Sequence, residues 1–188
     1  MCCIKKYLIF FLLLSFINCN LFNKNKNSDQ ANSIISSLDS NQKQSLAFFK
    51  DLLQNKQYSK DLEQASKSFL EDLKKDNEDF GSQNKLNQGL NCDYDDSKIE
   101  NLFAQLGDDK VKKFLQQLHI MLKAINDGTL ASFSSLNFKD LSNLSQKQER
   151  ALEYVKSQLY VEFYFYINDI SNTEYFFKKA MLEILNTD

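Results

Sequence analysis

Apolar residues recur along most of this chain at intervals of three and four, the spacing that gathers them on one face of a helix. Between Ser40 and Asn55, Leu46, Phe49 and Leu53 share a face, with Phe48 and Leu52 beside them. Leu62, Ala65, Phe69 and Leu73 repeat the pattern between Ser59 and Asp76. Ser97 followed by Glu100 fits a capping box, and opens a helix that carries Ile99, Leu102, Phe103 and Leu106 as far as Gly107. Asp108 and Asp109 then introduce Val111, Phe114, Leu115, Leu118, Leu122 and Ile125, and Gly128 ends that run. Ser145 with Gln148 heads Leu152, Val155, Leu159, Phe163 and Ile167. Ser171 with Glu174 heads Phe177, Ala180, Met181, Ile184 and Leu185. No stretch alternates with the period of a strand. The expected fold is all-α, a single bundle of about six helices over residues 38–188.

Two segments interrupt this rhythm, 79–96 and 128–143. Long connections inside a compact domain often carry function. Tyr94, Asp95 and Asp96 in the first, with Phe133, Phe138 and Lys139 in the second, are therefore the candidate partner-binding residues. Packing of the second segment over the bundle is the alternative. The run YVEFYFYI at 160–167 is apolar or aromatic on nearly every side, as a central helix would be. The alternative there places Tyr160, Tyr164 or Tyr166 in an exposed aromatic patch.

The N-terminus has a different pattern. Lys5 and Lys6 precede Tyr7 to Ile17, 11 residues without a charge. That is well short of the roughly 20 needed to span a bilayer, and it matches the charged and apolar regions of a secretory signal. Phe16, Ile17 and Asn18 then lead into Cys19. These residues resemble a bacterial lipobox in the relaxed form seen in spirochaetes. The resemblance implies cleavage after residue 18 and acylation of Cys19, whose two or three chains would hold the protein stably at a membrane. Residues 19–37, rich in Asn, Lys, Ser and Asp, read as a disordered tether between this anchor and the bundle.

Composition narrows the chemistry. The chain's 23 basic residues include Lys5 and Lys6 of the signal, which leaves 21 against 25 acidic ones, a mature net charge near −4. That balance argues against nucleic acid as a partner. Of four cysteines, Cys2 and Cys3 leave with the signal and Cys19 is taken by the anchor. Cys92 is left without an internal disulfide partner. A single histidine, His119, cannot build a His/Cys zinc cluster, and no phosphate-binding loop or nucleophile elbow is present. Asp93, Asp95 and Ser97 occupy positions 1, 3 and 5 of a calcium-loop pattern, but Lys98 stands where Gly is needed and Ala104 where Glu is needed. No cofactor, metal or enzymatic activity is expected.

The lipobox, the Asn/Lys-rich segment after it and a small helical domain rich in Lys, Asn and Phe together resemble the outer-surface lipoproteins of Borrelia. SLDSNQKQSLAFFKDLLQN (37–55) and DDSKIENLF (95–103) are similar to the opening of the Mlp-type multicopy lipoproteins. Size and helix number also resemble the relapsing-fever lipoproteins that capture complement factor H, some of which take plasminogen. The resemblance implies a lipid-anchored outer-membrane surface protein that binds a host serum protein for complement evasion. Factor H is the first expected partner and plasminogen the second. An envelope assembly lipoprotein without a host ligand, or a carrier of a small apolar molecule, are the competing classes.

Overall fold

The computed structural model describes residues 27–75, 94–130, 143–169 and 171–186. Every regular element among them is helical. In chain order these are α1 (27–37), α2 (Ser40–Gln54), α3 (Lys56–Lys75), α4 (Asp96–Leu106), α5 (Asp108–Asp127), α6 (Leu144–Ile167) and α7 (Thr173–Lys179), which runs on as a single π-turn over Ala180–Ile184. The protein is an all-α bundle. The six helices expected from the spacing are present, and α1 is added to them.

α1 corrects the expectation of a tether running to residue 37. Over 27–37 the chain is helical, and Ala31, Ile34 and Leu38 are buried in the common core. The polar composition of the segment hides an i, i+3, i+7 apolar stripe, and one such stripe suffices when a bundle is at hand to cover it. The residues of the signal, Cys19 and the first part of the tether lie outside the described residues, as do Cys92, Phe133, Phe138 and Lys139.

The helix starts are set by Asx residues more than by the serines expected. Asp39 and Gln42 form a reciprocal capping box before α2, Gln42 N–H to Asp39 Oδ1 at 2.8 Å and Asp39 N–H to Gln42 Oε1 at 3.0 Å. Asn55 is the only residue between α2 and α3, and its side chain accepts from the Tyr58 amide at 2.9 Å, so α3 begins at Lys56 instead of Ser59. Asn143 and Asn172 cap α6 and α7 through the amides of Gln146 and Tyr175, which displaces the expected caps at Ser145 and Ser171 by one or two residues. Asp95, not Ser97, stands at the cap position of α4, and its side chain makes no capping bond. Gly107 (φ 79°) lets α4 turn directly into α5, and Gly128 (φ 68°) closes α5 in the left-handed conformation that favours glycine.

The core is organised around four phenylalanines from four helices. Phe49 (α2), Phe114 (α5), Phe163 (α6) and Phe176 (α7) are all fully buried. Phe49 meets Phe114 and Phe163 edge-on at 5.5 and 5.6 Å between ring centroids, and Phe176 meets Phe114 at 5.7 Å. Each such pair adds about 0.5–1.5 kcal/mol beyond its area. In α7 it is Phe176, not the expected Phe177, that enters the core, because Phe176, Ala180 and Ile184 fall four apart on the buried face. Phe177 lies half-buried beneath the Lys110 ammonium, 5.7 Å from the ring centre. The YVEFYFYI stretch of α6 is covered by the bundle as expected, with Tyr160, Phe163 and Tyr164 buried, while Tyr166 is half-buried.

Candidate partner-binding surface

Of the six candidate contact residues, the described structure places Tyr94, Asp95 and Asp96. They form one corner of the bundle, where the start of α4 meets the α2–α3 junction. Tyr94 donates its hydroxyl to Asp96 Oδ1 at 2.6 Å, and Lys50 of α2 brings its Nζ within 3.0 Å of the same oxygen. Asp95 accepts from the Ser97 hydroxyl, and its backbone carbonyl accepts from the Lys98 amide at 3.1 Å.

These contacts set the electrostatics. The Tyr94 hydroxyl, and after it Lys50, hold the Asp96 carboxyl below its usual range. The Ser97 hydroxyl does the same for Asp95. Burial, reinforced by the neighbouring Asp96 carboxylate, pushes the Tyr94 hydroxyl upward, so it stays a neutral donor. Asp93–Ala104 is therefore no ion-binding loop in its described part. From Asp96 onward it is helix, with Asp95 and Ser97 bonded to each other.

Beside this corner lies a pocket of about 560 Å³ with a rim of mixed charge, Lys56 and Lys60 facing Asp95 and Asp96, and with Tyr94 and Tyr160 in its walls. A tyrosine with a fixed hydroxyl beside lysines and aspartates suits recognition of a protein surface, where aromatic residues contribute area and rim charges set orientation. Among the described residues no three His, Cys, Asp or Glu side chains gather to hold a metal ion. His119 is half-buried on α5.

Sequence reasoning found the acidic corner but missed its basic half. Lys50, Lys56 and Lys60 lie 36 or more residues before Asp96 in the chain, and only the fold brings the end of α2 to the start of α4, where Lys50 meets Asp96. It also missed a groove of about 890 Å³ between α4 and the α6–α7 turn. Lys98, Asn101 and Gln105 line one wall at helical spacing, and Tyr166 and Tyr175 line the other. Burial, offset in part by the Thr173 hydroxyl, raises the Tyr166 hydroxyl above its usual range. The polar i, i+3, i+7 stripe on α4 was the available signal, and it reads as an ordinary solvated face until the α6–α7 turn is seen opposite it. No protein-family model matches the chain, and no curated protein matches it either.

Proposed function

We propose that this protein is a lipid-anchored, non-catalytic surface lipoprotein of the Borrelia type that binds a host serum protein, with complement factor H as the first partner to test. The observation that carries this reading is the order of the parts. A short charged-then-apolar signal ends at Cys19, and a small helical bundle of mild negative charge follows. The corner at Tyr94, Asp95 and Asp96 supports it, since half-buried aromatic area within paired charges suits a protein partner better than a small substrate.

The test uses the unlipidated protein beginning at Asn20, immobilised and exposed to human serum, washed at physiological salt, with the retained proteins identified by mass. Retention of factor H, weakened by Tyr94→Ala and by Asp96→Ala, is the expected result. Retention of plasminogen alone would replace complement control with protease capture. If no serum protein stays bound, the host-binding reading fails and a partner within the bacterial envelope takes its place.

A further inference from the structure

We propose that the groove between α4 and the α6–α7 turn lies against the headgroup layer of the bilayer that holds Cys19. The inference rests on the lipidation of Cys19 proposed above. The amide of Asn27, at the start of α1, donates to Asn101 Oδ1 of α4 at 3.4 Å, and Gln30 donates to the Ala104 carbonyl at 3.1 Å. The first turns of α1 are thus fixed to α4. Eight residue steps separate Cys19 from Asn27. Eight steps can reach at most about 28 Å. The bundle cannot stand far off the surface, and the side nearest the anchor is the side on which α1 begins.

Asn101 is shared between that attachment and the groove, which it lines together with Lys98, Gln105, Tyr166 and Tyr175. The groove therefore opens beside the point where the leash ends. Its chemistry suits a headgroup layer. Tyr175 is 45% exposed and Tyr166 is half-buried, and amphipathic rings of this kind settle at the membrane–water boundary. Lys98 and Asp169 give the lining one charge of each sign, as a zwitterionic headgroup has, and the two amides supply donors and acceptors. Among the described residues no helix is long and apolar enough to cross a membrane, so the contact is one of surface and not of insertion. The bilayer is preferred over a soluble ligand because the chain itself keeps it at high effective concentration. The Tyr94–Asp96 corner opens toward α2 and α3 instead, and is left for a protein partner.

The experiment uses the full-length lipidated protein with Cys92→Ser, so that an introduced cysteine is the single free thiol of the mature chain. One probe is attached through Tyr175→Cys at the groove. The other is attached through exposed Glu149→Cys, 16 positions before Phe165 and so about 24 Å away along α6. Both proteins are placed in phosphatidylcholine–phosphatidylglycerol vesicles that carry a headgroup quencher, after their helicity has been checked against the parent. Emission should be lost at position 175 and kept at position 149. Equal quenching, or stronger quenching at 149, overturns the assignment of the groove. Detergent-phase partition of the same samples separates the two levels of inference. Protein that stays in the aqueous phase was never anchored, which overturns the lipidation reading and this proposal with it.

Discussion

Lys50 and Asp96, 46 positions apart in the chain, meet at 3.0 Å between Nζ and Oδ1 and join the end of α2 to the first residue of α4. The Asp96 side chain is 57% exposed, so solvent screens the pair and its worth is small. Asp96→Asn should lower stability at neutral pH by less than about 1 kcal/mol. The sign of its pH dependence follows from the lowered carboxyl. A depressed pKa stabilises the fold above the unfolded value, and the benefit disappears as pH falls through the folded value. Urea denaturation of wild type and variant should therefore differ at pH 7 and converge only in acid below the usual carboxylate range. A double cycle with Lys50→Ala isolates the pair from the Tyr94 hydrogen bond. An unchanged gap at low pH would mean that the loss comes from packing and not from charge.

Phe49 touches three of the other core rings, with Phe176 at 6.4 Å joining Phe114 and Phe163. Removing it takes one wall from every pair at once and leaves a cavity at the meeting point of four helices. Phe49→Ala should cost about 3–5 kcal/mol, read as a drop in denaturation midpoint with the slope unchanged. Phe48→Ala, one position earlier and only partly buried, should cost far less, which tests whether the position and not the residue type governs the loss.

The contrast between Phe48 and Phe49 also marks what the sequence makes legible. Spacing alone picked out Leu46, Phe49 and Leu53, then Val111, Phe114 and Leu118, because a helix that buries one face writes its period into the chain. α1 is not legible by composition, because Ala31, Ile34, Ile35 and Leu38 are four apolar positions among eight polar ones over 27–38, and composition outweighs period. Phe176 was passed over for Phe177 because the choice depends on how α7 meets α5, a tertiary fact. The candidate site was half legible for the same reason. Tyr94, Asp95 and Asp96 are neighbours in sequence, while Lys50, Lys56 and Lys60 join them only through the fold.

Glu162 is 8% exposed, and its Oε2 has no hydrogen-bond partner among the described residues. Burial raises its carboxyl, Lys179 lowers it and Glu183 raises it further. A carboxyl raised in the folded state favours folding when protonated, so stability is lost as pH rises through the folded value. Glu162→Gln should consequently stabilise the protein at neutral pH, by on the order of 1 kcal/mol, and the advantage should shrink in acid. Thermal unfolding of both proteins across that range checks it. A variant less stable than wild type at neutral pH would show that Glu162 holds a favourable contact when charged.

Gly128 ends α5 in the left-handed region, and a methyl group placed there would come within 2.9 Å of Leu144 Cδ1 at the start of α6. Gly128→Ala therefore meets both a backbone and a steric penalty, about 1–2 kcal/mol for the conformation alone. The two penalties separate experimentally. Adding Leu144→Ala, a residue 52% exposed, removes the clash and should recover only the steric part. Complete recovery would mean that the backbone tolerates alanine at this turn.

Ile34 sits in α1 at 5% exposure and is the midpoint of the stripe that joins the N-terminal segment to the bundle. Ile34→Ala should cost about 2–5 kcal/mol if α1 unfolds with the rest of the protein. The ring contacts among Phe49, Phe114, Phe163 and Phe176 join α2, α5, α6 and α7 and include no residue of α1. Local opening of α1 should thus precede global unfolding, and amide exchange over 27–37 should accelerate while α5 and α6 keep their protection. Release of α1 also lengthens the leash. Eight residue steps become about nineteen as far as Leu38, and the extended reach grows from about 28 Å to about 65 Å. In the vesicle experiment, Ile34→Ala should then weaken quenching at position 175. A mutant that exchanges rapidly over α1 but keeps its full quenching would show that the groove holds the membrane by its own chemistry, independent of the short tether.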